Sequence, residues 1–152
     1  MATIPLPPDF REFLKLLNDQ KVKYLLIDGY AVGYHGYVRA TADMDIWIAR
    51  NPSNAERVVK ALHKFGFDAD KLSANLFLEK DQVIRMGVPP MRIEVLTSIS
   101  GVEFKECYDT RIKESWDDIS VNIISLEKLK QNKQASGRLK DLNDLEHLEV
   151  DD

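Results

Sequence analysis

Leu26-Ile-Asp-Gly-Tyr-Ala-Val-Gly-Tyr-His-Gly-Tyr-Val-Arg-Ala-Thr-Ala-Asp-Met-Asp-Ile-Trp-Ile48 is the stretch from which the fold of this 152-residue chain is read. Tyr24-Leu-Leu-Ile27 is a short apolar run, the pattern of a strand buried on both faces. Asp28-Gly29 breaks it, and residues 30–35 read as a short helix ended by Gly36. Met44-Asp-Ile-Trp-Ile48 is β-rich and alternates in polarity up to Ile46, which predicts a second strand.

The flanks extend this alternation of strands and helices. Upstream, Pro7-Pro8-Asp9 starts a helix, with Asp9 and Glu12 as a capping box and Phe10, Phe13, Leu14 and Leu17 at helical spacing. Downstream, Pro52-Ser53 starts another, with Ser53 and Glu56 as its capping box and Gly66 as its stop. Leu76–Leu78, Val83-Ile84, residues 91–96 and Val121–Ile124 are expected strands, and Val88-Pro-Pro90 an expected turn. Ser125 caps a helix over 126–134, Gly137 interrupts it, and Leu139, Leu142, Leu145 and Leu148 continue helically. There is no internal repeat or low-complexity linker. The expectation is one α/β (α+β) domain over residues 1–152, with a C-terminal helical region at 125–149.

Composition narrows the function. Hydrophobic residues are 44% and charged residues 30%, ordinary for a globular domain. No stretch is apolar for long enough to span a bilayer, and the N-terminus lacks signal-peptide features, so a cytoplasmic protein is expected. Cys107 is the one cysteine, which excludes a disulfide framework or a thiolate zinc site. The net charge of −4 argues against broad nucleic-acid binding. Within it, residues 128–140 carry Lys128, Lys130, Lys133, Arg138 and Lys140 and no acid. That segment is either a solvated helix face or a local anion site.

The carboxylates carry the chemistry. Asp43 and Asp45 lie two apart on an expected strand, so both project to one face. They could be exposed acids, pair with Arg39, or share a divalent cation, for which hard oxygen ligands favour Mg²⁺ or Mn²⁺. Glu94 lies in a second expected strand, Arg92–Leu96. If that strand is a neighbour, three acids converge, enough for two ions clamping an in-line phosphoryl displacement. Otherwise Glu94 is a strand acid paired with Arg92 or Lys80.

Together these residues resemble the minimal nucleotidyltransferases of the DNA polymerase β-like superfamily. The resemblance is closest to stand-alone abortive-infection and toxin–antitoxin nucleotidyltransferases. It rests on Gly29-Tyr-Ala-Val32, Arg39-Ala-Thr-Ala-Asp-Met-Asp45, Glu94 and Lys133-Gln-Ala-Ser-Gly-Arg-Leu-Lys-Asp141, and it spans roughly residues 10–148. It implies a mixed sheet with flanking helices and transfer of a nucleoside monophosphate from an NTP to an acceptor. That acceptor is an RNA end, a protein hydroxyl or a small molecule. Asp43, Asp45 and Glu94 would be the catalytic and metal-binding residues, holding Mg²⁺ or Mn²⁺. Gly29, Tyr30, Arg39, Thr41, Lys133 and Arg138 would meet the nucleotide. A toxin or antitoxin partner follows from the same resemblance, and a non-catalytic nucleotide-binding or interaction module is the alternative.

Asp28 departs from the family pattern, in which a small residue, usually Gly, opens the turn. Its carboxylate points away, joins a metal site, or repels the triphosphate. His35 reads as a structural histidine. Asp141 and Asp144 read as partners of cations.

Overall fold

The strand Tyr24–Ile27 (β1) is fully flanked, because the chain places its two most apolar neighbours on either side of it. The computed structural model describes residues 6–39, 41, 43–67, 72–87 and 92–150. In chain order the elements are α1 (Pro8–Asp19), β1, α2 (Asp28–Tyr34), β2 (Asp43–Ile48) and α3 (Pro52–Phe65). There follow β3 (Val83–Met86), β4 (Arg92–Leu96), α4 (Phe104–Asp109), β5 (Ile112–Trp116), β6 (Ile119–Ile123), α5 (Leu126–Ser136) and α6 (Leu139–Val150). The six strands form one sheet in the order β3-β4-β2-β1-β6-β5. β2–β4 and β1–β6 pair in parallel; β1–β2, β3–β4 and β5–β6 are antiparallel. This is the expected α/β fold with a mixed sheet and flanking helices.

The sheet's centre follows from burial. Met44, Ile46 and Ile48 on β2 are wholly buried, as are Leu25 and Leu26 on β1. On the other face of β2, Trp47 packs edge-on against Phe104 of α4, while Asp43 and Asp45 lie toward the strand's start. Phe10, Phe13, Leu14 and Leu17 give α1 the buried stripe their spacing predicts. Each such side chain contributes about 1.5–3 kcal/mol on leaving water.

Several local expectations are corrected. The capping boxes at Asp9/Glu12 and Ser53/Glu56 do not form. Each helix instead takes a proline at its first position, where a missing N–H costs nothing, so the cap falls on the residue before. For α1 that is Pro7, which offers no side-chain cap. For α3 it is Asn51, whose Oδ1 accepts the Asn54 N–H at 2.9 Å. Leu76–Leu78 is not a strand; it lies in a 3₁₀ turn over Ala74–Leu78 that buries Phe77 and packs on α3. Strand β5 and helix α4 went unexpected. β5 joins β6 through Asp117 and Asp118, both at positive φ (51° and 65°), a tight hairpin turn without the glycine that usually announces one. The Ser125 cap and the Gly66 and Gly137 stops are as expected, both glycines being left-handed. The expected turn at Val88–Pro90 lies outside the described residues.

Candidate functional site

Strand register decides which acids meet. β2 and β4 run parallel, with Asp43 beside Arg92 and Asp45 beside Glu94. Side chains alternate along a strand, so Asp43, Asp45, Arg92 and Glu94 share one face. Arg85, opposite Glu94 on β3, joins them. The three acids expected to hold metal therefore line one cavity of about 410 Å³, although the trio at metal-cluster spacing among the described residues is a different one, Asp28, Asp141 and Asp144. Its lining also includes Asp28, Gly29, Arg39, Thr41, Arg138 and Lys140.

The acids differ in how their charge is met. Arg92 holds Asp43 through two hydrogen bonds of 3.3 Å. Arg85 Nε donates to Glu94 at 3.0 Å. Asp45 is 7% exposed. Burial pushes its carboxyl up to about 8, reinforced by the charge of Asp28, a hydrogen bond with Glu94, and the charges of Glu94 and Asp43. A buried carboxylate facing three others holds a proton unless a cation takes its place. Asp43 and Glu94 are paired with arginines, so Asp45 is the member whose oxygens would suit a hard divalent ion of the Mg²⁺ type.

Beside this floor lies a second acidic group. Asp28, Asp141 and Asp144 offer oxygens within 4.8 Å of one another, a spacing that could seat a metal ion. The cation among them is the ammonium of Lys133, at 2.5 Å from Asp28, 2.9 Å from Asp141 and 3.2 Å from Asp144. Arg39 adds a bidentate contact to Asp144, 2.7 and 2.9 Å, and lies 3.5 Å from Asp28. Burial works to raise the Asp141 carboxyl. Hydrogen bonds from Ser136, Lys133 and Arg138 outweigh it and hold the group down to about 2. Burial likewise opposes the charge on Lys133, yet its carboxylate partners keep it above the ordinary lysine range. Asp141 and Asp144 pair with cations, as expected.

The helix expected over 30–35 begins two residues earlier, so Asp28 and Gly29 open α2 directly after β1. A side chain on Gly29 would collide with Thr41 Oγ1 at 2.3 Å, so Gly29 is there for close packing. Asp28 takes the left-handed conformation, φ 55°. It does not point away: it turns its carboxylate into the cation cluster.

The expected nucleotide contacts divide. Gly29, Arg39, Thr41 and Arg138 line the cavity with the acids. Tyr30 is buried and sets its ring edge-on against Phe10, so packing against α1 claims it. Lys133 is 1% exposed and committed to three carboxylates, so its charge is spent inside the protein. His35 accepts its structural reading, its Nε2 lying 2.8 Å from the Ile124 carbonyl oxygen. Arg85, absent from the sequence reading, takes the place expected of Arg92 or Lys80 as the partner of Glu94; Arg92 pairs with Asp43 instead, and Lys140 of the basic segment lines the cavity. The Arg92-Ile-Glu94 alternation was the available signal for Arg92, since it sets both side chains on the face of Asp43.

No protein-family model matches the chain. No curated protein matches it in sequence. Solved structures match it in shape. A protein assigned as a nucleotidyltransferase from Thermotoga maritima superposes with a TM-score of 0.62 at 14% identity, over 93% of this chain and 91% of that one. The lincosamide antibiotic adenylyltransferase LnuA, solved with lincomycin bound, gives 0.55 at 14% identity, over 97% and 98%. An antigenic nucleotidyltransferase-like protein from Paracoccidioides brasiliensis gives 0.53 at 20% identity, over 95% and 78%. The chain has a nucleotidyltransferase-like fold.

Proposed function

We propose that the chain is a metal-dependent nucleotidyltransferase that moves a nucleoside monophosphate from an NTP to an acceptor hydroxyl and releases pyrophosphate. The observation that carries the reading is the shared face of Asp43, Asp45 and Glu94 on adjacent parallel strands, at the floor of one cavity in this fold. Asp43 and Asp45 would hold Mg²⁺ or Mn²⁺, and Glu94 would complete a second metal position. Such an ion supplies Lewis-acid stabilisation of phosphoryl oxygens and makes a hydroxyl easier to deprotonate.

The chain's own groups do the rest. Gly29 keeps the turn after β1 flat against Thr41, leaving backbone at the cavity wall. Arg39, Arg138 and Lys140 line that side and would hold the β- and γ-phosphates. Glu94 takes the acceptor's hydroxyl proton. The acceptor oxygen then bonds to the α-phosphorus as the bond to the pyrophosphate oxygen breaks. The acceptor is an RNA end, a protein hydroxyl or a small molecule. A toxin–antitoxin setting and residence in the cytoplasm belong to the same reading.

A second reading is a non-catalytic nucleotide-binding or interaction module, such as one component of a toxin–antitoxin pair. The arginines already seated on Asp43 and Glu94 favour it. One experiment separates the two. Each labelled NTP is incubated with Mg²⁺ or Mn²⁺ and total RNA or lysate, using the parent protein and Asp45→Asn. Label transfer by the parent alone supports the enzyme; no transfer, with retained NTP binding, supports the module.

A further inference from the structure

We propose that the Asp28 carboxylate is a built-in occupant of the phosphate seat, so that Asp28 and the phosphates of a bound nucleotide compete for Arg39 and Lys140. This rests on the reading above only in taking the cavity as the place where phosphate binds. The geometry is that of a held anion. Asp28 Oδ1 lies 2.5 Å from Lys133 Nζ and 3.5 Å from Arg39 Nη2, and Oδ2 lies 3.8 Å from Lys140 Nζ. Two oxygens thus bridge three cations from three separate segments, as the oxygens of a phosphate would. Asp28, Arg39 and Lys140 all line the cavity.

The backbone points the same way. Asp28 holds φ 55°, a conformation that glycine enters freely and a side chain rarely does. Aspartate is among the side chains that tolerate it, and from there the carboxylate meets three cations. Those cations survive its release. Lys133 retains Asp141 and Asp144, and Arg39 retains its bidentate bond to Asp144. Lys140 is 57% exposed and free to swing toward a ligand. An incoming phosphate can therefore displace the Asp28 carboxylate without stranding a buried charge. Until it does, the carboxylate repels it from the same position.

The test uses inorganic tripolyphosphate, titrated calorimetrically at fixed Mg²⁺ into the parent, Asp28→Gly and Asp28→Asn. Asparagine tolerates the left-handed conformation, so it removes the charge and keeps the turn. Both variants should bind roughly ten- to a hundredfold more tightly than the parent, the size expected from removing one like charge in partial burial. Weaker or equal binding in both variants overturns the proposal and makes Asp28 a metal ligand or a turn anchor. Tighter binding by Asp28→Gly alone also overturns it, because backbone freedom rather than charge would then matter. Absence of binding in all three proteins overturns the seat itself. Tripolyphosphate has no nucleotide to transfer. A protein inactive with every NTP would therefore lose the enzyme reading while this competition still stands or falls on the titration.

Discussion

Two groups of three carboxylates lie side by side in this molecule, and they are built in opposite ways. Around Lys133, Asp28, Asp141 and Asp144 are closed on an ammonium and backed by Arg39. On the sheet, Asp43 and Glu94 hold arginines at their outer edges, 34% and 60% exposed, and Asp45 between them feels the charges of Arg92 and Arg138 yet is held well above the ordinary carboxylate range. A carboxylate group that supplies its own cation is structural. One that leaves its most buried member to hold a proton is, under the proposed function, where a cation from solution would sit. Counting acids does not separate the two; locating the lysine does.

The largest test of the contrast is Lys133→Met. It removes the cation shared by three carboxylates, two of them almost fully buried, leaving them to Arg39, Arg138 and Lys140, and should cost about 3–5 kcal/mol, read by urea unfolding. A loss below about 1 kcal/mol would reduce the cluster to an ordinary surface pair. Next, Mg²⁺ or Mn²⁺ should stabilise the parent by about 1.4 kcal/mol at tenfold excess over its Kd, read as a rise in Tm. Asp45→Asn should abolish the rise and Asp141→Asn should keep it. A rise that persists in Asp45→Asn would move the ion to the Lys133 group.

Asp141 and Asp45 titrate on opposite sides of neutrality. Asp141 is held at about 2, below its unfolded value near 3.9, so its stabilisation is full above about pH 4 and fades as pH falls toward 2. Asp45 is raised to about 8. Its contribution is full below about pH 4 and is lost as pH rises through 8. In chelator, Asp45→Asn should therefore gain on the parent in Tm between pH 6 and pH 9, while Asp141→Asn should flatten only the acid limb. Parallel curves for Asp45→Asn and parent would mean that Asp45 already has a cation. The smallest effect belongs to Arg92→Gln, which should leave Tm in place and tighten Mn²⁺ by freeing Asp43. Looser Mn²⁺ would make Arg92 a support of the site.

The open group was legible in the sequence and the closed one only in part, its Asp141 and Asp144 as partners of cations but not the buried lysine they share, for a physical reason. Asp43, Asp45 and Glu94 follow from strand alternation, a local rule, and needed only the β2–β4 pairing to converge. Lys133 meets Asp28 across 105 positions, and an amphipathic surface lysine and a buried one have the same local sequence. Burial of Lys133, and the diversion of Tyr30 toward Phe10, are decided by tertiary packing alone. β5 was hidden because Lys113 and Ser115 alternate outward from a strand only half covered, and its turn carries two aspartates instead of glycine.

The ties from Lys133 to Asp28 and from Asp144 to Arg39 each join residues 105 apart. On a ribosome, Asp28 and Arg39 emerge long before their partners exist. The β1–α2 turn and the carboxylate floor must therefore wait, with a left-handed aspartate that nothing yet restrains. Closing so long a loop is slow relative to local helix formation. The nascent chain thus passes through an interval in which its sheet can pair but Asp28 has no lysine behind it. The cavity becomes a finished site only when α5 and α6 have docked, which makes its completion a late event in synthesis.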